Sequence, residues 1–99
     1  MRDEEAGWSL AGFLDRLDAW SEQEKAPGDL TLLVTAWIMS RYDDPYGGVR
    51  LEPGFDNLWF GPVPGSEDGR GRVVVCSYWI SERSRTVTCN GFATLDLPI

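Results

Sequence analysis

Along residues 9–20, SLAGFLDRLDAW, apolar residues recur at the spacing of one helical face. Leu10, Phe13, Leu14, Leu17 and Trp20 fall together and Asp15, Arg16 and Asp18 fall opposite, which predicts an amphipathic helix with Ser9 as its N-cap. KAPGD interrupts the pattern through Pro27 and Gly28, and Asp29 stands where it can cap the next segment. Residues 30–42, LTLLVTAWIMSRY, are apolar nearly all round. That texture fits a buried helix or a strand. Thirteen residues exceed the usual strand and favour a helix, against the β-branched Thr31, Val34 and Thr35. DDPYGG ends the run, because Pro45 biases Asp44 away from helical angles and Gly47-Gly48 complete a turn.

Beyond this point the texture changes. VRLE is a short strand, stopped by Pro53-Gly54. NLWFGPV is another, confined to an edge or terminal position by Pro62 and Pro64. PGSEDGRG is a polar loop. RVVVCSYWI is continuously apolar, as expected of a central strand covered on both faces. RTVTCNGF alternates, and the tail ATLDLPI carries no clear pattern. The order predicts one α+β domain over residues 1–99, with residues 1–7 as a flexible N-terminus. Two N-terminal helices pack on a three- to four-stranded, mainly antiparallel sheet centred on residues 72–80. Phe13, Leu17, Leu33, Trp37, Val74 or Val75, and Val87 are its expected core.

The hairpin can be read more finely. A turn symmetric about Glu82-Arg83 sets Ile80 opposite Arg85, Tyr78 opposite Val87 and Cys76 opposite Cys89. Cys76, Tyr78, Val87 and Cys89 then share one face, and Ser77, Trp79, Thr86 and Thr88 the other. The cysteines read as small buried residues with free thiols. With no His and no CxxC spacing, no metal site is expected, and nothing calls for a cofactor.

Charge adds a constraint. The net charge is −7, and the chain has no His and a single lysine, Lys25. A phosphate backbone needs a positive surface, so nucleic acid is not the default partner. The charge is uneven, however. Asp3, Glu4, Glu5, Asp15, Asp18, Glu22 and Glu24 crowd the start, while Arg70, Arg72, Arg83 and Arg85 gather later. No apolar run approaches the roughly 20 residues of a membrane span, and the acidic MRDEEAGW is unlike a secretory leader. A cytoplasmic protein without membrane contact is expected.

DDPYGGVRLEP, NLWFGPVP, GRVVVCSYWI and RTVTCNGF together resemble the RelE/ParE toxin superfamily, including its HigB-like branch, over roughly residues 8–95. The resemblance implies a small domain with a concave sheet face that cuts messenger RNA on the ribosome or poisons gyrase. It also implies neutralisation by an antitoxin-like partner, and a homodimer is a further expectation. By position, Arg50 resembles the basic residue of the family's short strand, Arg70 and Arg72 the loop and start of the central strand, and Arg85 the arginine of its RTV motif. These four are the binding candidates. Arg50, Arg85 and Tyr78 are the candidates for catalysis, because cleavage by a 2′-hydroxyl needs cations and proton-transfer groups. The GRGR loop can also present backbone amides to phosphate. The chain departs from the family at its end: GFAT replaces the GHR-like motif, and no Tyr or basic residue follows Gly91. The reading is therefore a toxin-like domain that acts mainly by binding, with nuclease activity absent or weak. The alternatives are an active ribosome-dependent messenger interferase and an acidic protein-interaction domain outside the toxins.

Overall fold

The computed structural model describes residues 7–99. The elements are β1 (Ser9–Ala11), α1 (Phe13–Glu24), α2 (Gly28–Ser40), β2 (Arg50–Leu51), β3 (Leu58–Pro62), β4 (Arg72–Ser81) and β5 (Thr86–Asp96). The fold is α+β, as expected, but the sheet has five strands and is mixed, in the order β1-β5-β4-β3-β2. The added strand is β1, which runs parallel to β5 with Ser9 beside Thr86 and Ala11 beside Thr88. Ser9 is therefore a strand residue and not an N-cap. Gly12 fills the cap position at φ +77°, a left-handed conformation that glycine adopts without a Cβ penalty, and α1 starts at Phe13. Of the expected flexible N-terminus, residues 1–6 lie outside the described residues; Gly7 sits flush on the Tyr42 ring.

Both helices pack on one face of the sheet. α1 buries Phe13, Leu17 and Trp20, and Trp20 also donates its indole N–H to Thr94 Oγ1 at 3.0 Å. Leu14, placed on the same face by spacing, is 61% exposed. α2 is a helix, as its length indicated, shifted two residues toward the N-terminus. Asp29 lies inside its first turn, where Oδ1 accepts from the Leu30 N–H at 3.0 Å, and Pro27 holds the cap position. The buried residues of α2 are Val34 and Ile38. Trp37 is half-buried, and Leu33, expected in the core, is turned outward.

The central strand and hairpin form as predicted, with a different register. The closing pair is Ser81–Thr86, so the turn holds four residues, Glu82 to Arg85, and not two. Arg85 takes φ 50° and its N–H donates to Glu82 O. Ile80 faces Val87 and Tyr78 faces Cys89. A bulge at Asn90 then sets Ser77 opposite Gly91 and Cys76 opposite Phe92, so the two cysteines are not cross-strand partners. The slip is by two, and side chains alternate with period two, so every residue before the bulge keeps its predicted face. Val74, Cys76, Tyr78, Ile80, Val87 and Cys89 make the helix-facing core. At roughly 1.5–3 kcal/mol for each large apolar side chain, this layer is the main stabilising term.

Candidate interaction surfaces

Tyr78 lies at the centre of the core with no exposed surface. Its hydroxyl donates to the Pro45 carbonyl and accepts from Arg41 Nη1 at 3.2 Å. Burial raises its pKa, and the nearby Arg41 guanidinium opposes the rise. The phenol is thus a neutral strut joining β4 to the exit of α2. Arg41, which is absent from the residues singled out by pattern, completes this strut. It is 7% exposed, donates to Gly47 O at 2.7 Å and lies 4.4 Å over the Trp37 ring. The sequence marks it only as a cation ahead of Asp-Asp-Pro, and such a residue reads equally as surface.

The candidate arginines occupy separate parts of the molecule. Arg50, on β2, lies 4.7 Å over the Phe60 ring and donates to Ile99 O at 3.1 Å. Arg85 covers the Trp8 ring at 4.4 Å, and its carbonyl accepts from Ser9 N–H at 2.8 Å, which fixes it beside β1. β1 and β2 are opposite edges of the sheet, about 19 Å apart at ~4.8 Å per strand. Arg72 opens β4, whose ten residues separate it from the hairpin turn by about 33 Å at ~3.3 Å per residue. Arg72 donates to Glu24 Oε1 at 3.2 Å and lies 3.9 Å from Asp68. Arg70 stands next to it in the same loop. Only Arg70 and Arg72 are brought together.

That loop already contains an anion. Asp68 Oδ1 accepts from the backbone N–H groups of Arg70 at 2.8 Å and of Arg72 at 3.2 Å. The first of these bonds is the main reason the Asp68 carboxyl titrates below the usual carboxylate range. The amides that could have met a phosphate are turned to the chain's own carboxylate.

Both cysteines are buried free thiols. Burial, then the neighbouring Cys89, pushes the Cys76 thiol up, so it is not a nucleophile in the folded state. Among the described residues, no three side chains of the metal-ligating types converge, and no helix is long and apolar enough to cross a membrane.

One surface was hidden in the sequence by its own uniformity. Leu32 is 71% exposed and Met39 56%, with the exposed Ala36 between them at i+4. From Leu30 to Ser40, α2 carries no charged residue at all. Across the start of α1, Leu14 continues the strip. A groove of about 290 Å³ between the helices is lined by Leu10, Phe13, Leu14, Asp15, Ile38 and Met39. Asp18 and Glu22 follow Leu14 at i+4 and i+8, so carboxylates border the apolar strip along α1. Comparison with family models, with curated proteins and with solved structures returns no match for this chain.

Proposed function

We propose that this protein works by binding a macromolecular partner through α2 and the start of α1. On this reading it is a toxin-antitoxin-type domain of the RelE/ParE kind in which messenger cleavage is absent or weak. The observation that carries the reading is the solvent side of α2, uncharged from Leu30 to Ser40, with Leu32 and Met39 more than half exposed. A surface helix ordinarily turns charge to water, and an apolar strip rimmed by polar groups marks an interaction site. The run of α1 and α2 into the strands β2 to β5, with Thr-Val-Thr opening β5 directly after Arg85, supports the toxin-like ancestry.

The bordering charges favour a partner of opposite sign. Asp15, Asp18 and Glu22 on α1, in a chain of net charge −7, favour a basic segment. An amphipathic helix from an antitoxin-like protein fits, with apolar anchors at i, i+4 and i+7 for the strip and Lys or Arg on its flanks.

The test is co-expression with the product of the adjacent reading frame. Three forms are compared: wild type, the pair Leu32→Glu with Met39→Glu, and the pair Arg50→Ala with Arg85→Ala. The expected result is a complex that the helix variant loses, at an unchanged melting temperature, and the arginine variant keeps. Growth arrest with messenger cleavage on induction, abolished in the arginine variant, would replace this reading with an active interferase.

A further inference from the structure

β5 is long and its outer neighbour is short. β1 covers Thr86–Thr88, whereas β5 runs on to Asp96. From Asn90 onward, that edge has no strand beside it among the described residues. The register says which groups face outward. Leu97 N–H donates to Gly71 O at 2.6 Å, so the residues in phase with it, Leu95, Ala93 and Gly91, turn their main-chain groups toward β4. Phe92, Thr94 and Asp96 turn theirs to the open edge. The segment NGFATLD contains no Lys and no Pro, the residues that commonly blunt such an edge. Its bulge, at Asn90, lies at one end and leaves Gly91–Asp96 regular.

We propose that a second copy of this chain occupies that edge, β5 against β5 and antiparallel, so that two sheets join across a two-fold axis at Ala93. Side chains fit this register. Leu95, 43% exposed, comes opposite Gly91, where a side chain would meet nothing within 4 Å and the leucine has room. Thr94 comes opposite Phe92. Asp96, the one charged residue of the segment, comes opposite Asn90, so no like charges meet.

The helix above the edge agrees. α1 packs on β5, and Arg16 is close enough to Cys89 for its charge to act on the thiol. Ala19 and Gln23 follow Arg16 at i+3 and i+7, so the flank of α1 on this side is neutral or cationic. Asp18 and Glu22 lie on the α2 side with Ser21, whose hydroxyl is 3.4 Å from that of Thr31. The two-fold therefore keeps Asp18 and Glu22 of one copy apart from those of the other, in a chain that carries net charge −7. It leaves the α2 strip open on both copies, so this inference does not depend on the partner reading above.

Light scattering on the eluting protein tests it. Wild type is expected at twice the chain mass of 11.1 kDa. Ala93→Asp sets two carboxylates against each other at the axis and is expected to return the single-chain mass with an unchanged circular dichroism spectrum. Ala93→Cys brings the two introduced thiols to a non-hydrogen-bonded pair with Cα atoms about 4.5 Å apart, within disulfide reach. Oxidised glutathione should then give a covalent dimer, taking up the two electrons and two protons that the thiols release. Thr88→Cys, on the part of β5 that β1 covers, should not cross-link. A single-chain mass at every concentration without a cross-link through position 93 overturns the proposal. A dimer that Ala93→Asp leaves intact also overturns it, because the interface then lies elsewhere.

Discussion

The two helices lie on the same side of one sheet and contribute to one core, yet they turn opposite kinds of surface to water. α1 buries Phe13, Leu17 and Trp20 and, beyond Leu14 at its start, exposes Asp15, Arg16, Asp18, Glu22 and Gln23. α2 buries Val34 and Ile38 and exposes Leu32, Ala36 and Met39. The fold constrains only the buried face of each. Solvation accounts for the outer face of α1, since charged groups are at home in water. Nothing in the folding of this chain accounts for the outer face of α2, and that excess points to an interface.

The sharpest way to break the comparison is to truncate one residue from each side of α2. Ile38, 1% exposed, leaves a cavity beneath the helix, so Ile38→Ala should cost about 2–5 kcal/mol. Leu32, 71% exposed, should change stability by no more than about 0.5 kcal/mol on Leu32→Ala. Urea unfolding measures both. Equal costs would mean that Leu32 packs against the protein itself, and the interface would lose its basis.

A smaller effect is expected where α2 hands the chain to the turn after it. Tyr78→Phe keeps the ring against Trp37, whose centroid is 6.2 Å away, and removes only the hydroxyl. The buried Pro45 carbonyl loses its donor and Arg41 Nη1 loses an acceptor while keeping Gly47 O. The expected cost is about 1–3 kcal/mol. If Tyr78 were a catalytic residue, the same substitution would leave stability unchanged and abolish activity, so unfolding and activity measured together separate the two roles.

These positions show how far the sequence could be read. The hairpin pairing gave Cys76, Tyr78, Val87 and Cys89 their common face, because a period of two survives any even error in register, whereas the continuously apolar start of β4 left Val74 and Val75 undistinguished. The turn length did not follow from SERS: Arg85 closes a four-residue loop with a positive φ that its residue type does not advertise. β1 was hidden because three residues are too few to show a period, and Leu10 also fits the helical pattern of Phe13 and Leu17. The direction of each face of α2 was hidden for the opposite reason, since an all-apolar stretch has no polar side to mark the outside. For the candidate site, only the pairing of Arg70 with Arg72 was legible. The separation of Arg50 from Arg85 is set by the strand order, which puts β4 and β3 between β5 and β2.

The smallest effect tests how firmly the exit of α2 is held to the hairpin. Tyr46 follows Pro45, stacks edge-on with Trp8 and Trp59, and its hydroxyl donates to Glu82 Oε2 in the hairpin turn. Burial, the hydrogen bond to Glu82 and the charge of Glu82 all oppose the phenolate, and its pKa is raised from 10.0 to about 12. The folded state thus holds the proton more tightly than the unfolded chain. Its contribution is complete below pH 10.0 and is lost as pH rises toward about 12. Glu82→Gln keeps an oxygen to accept the bond but removes the negative charge, so Tyr46 should ionise at lower pH, with burial still holding it above its ordinary value. Phenolate absorbance of wild type and Glu82→Gln, with Tyr46→Phe to identify the component, measures the difference. A Tyr46 titration indifferent to Glu82→Gln would mean that the turn and the hairpin are not joined there in solution, and that Tyr78 and Arg41 hold the exit of α2 to the sheet without Glu82.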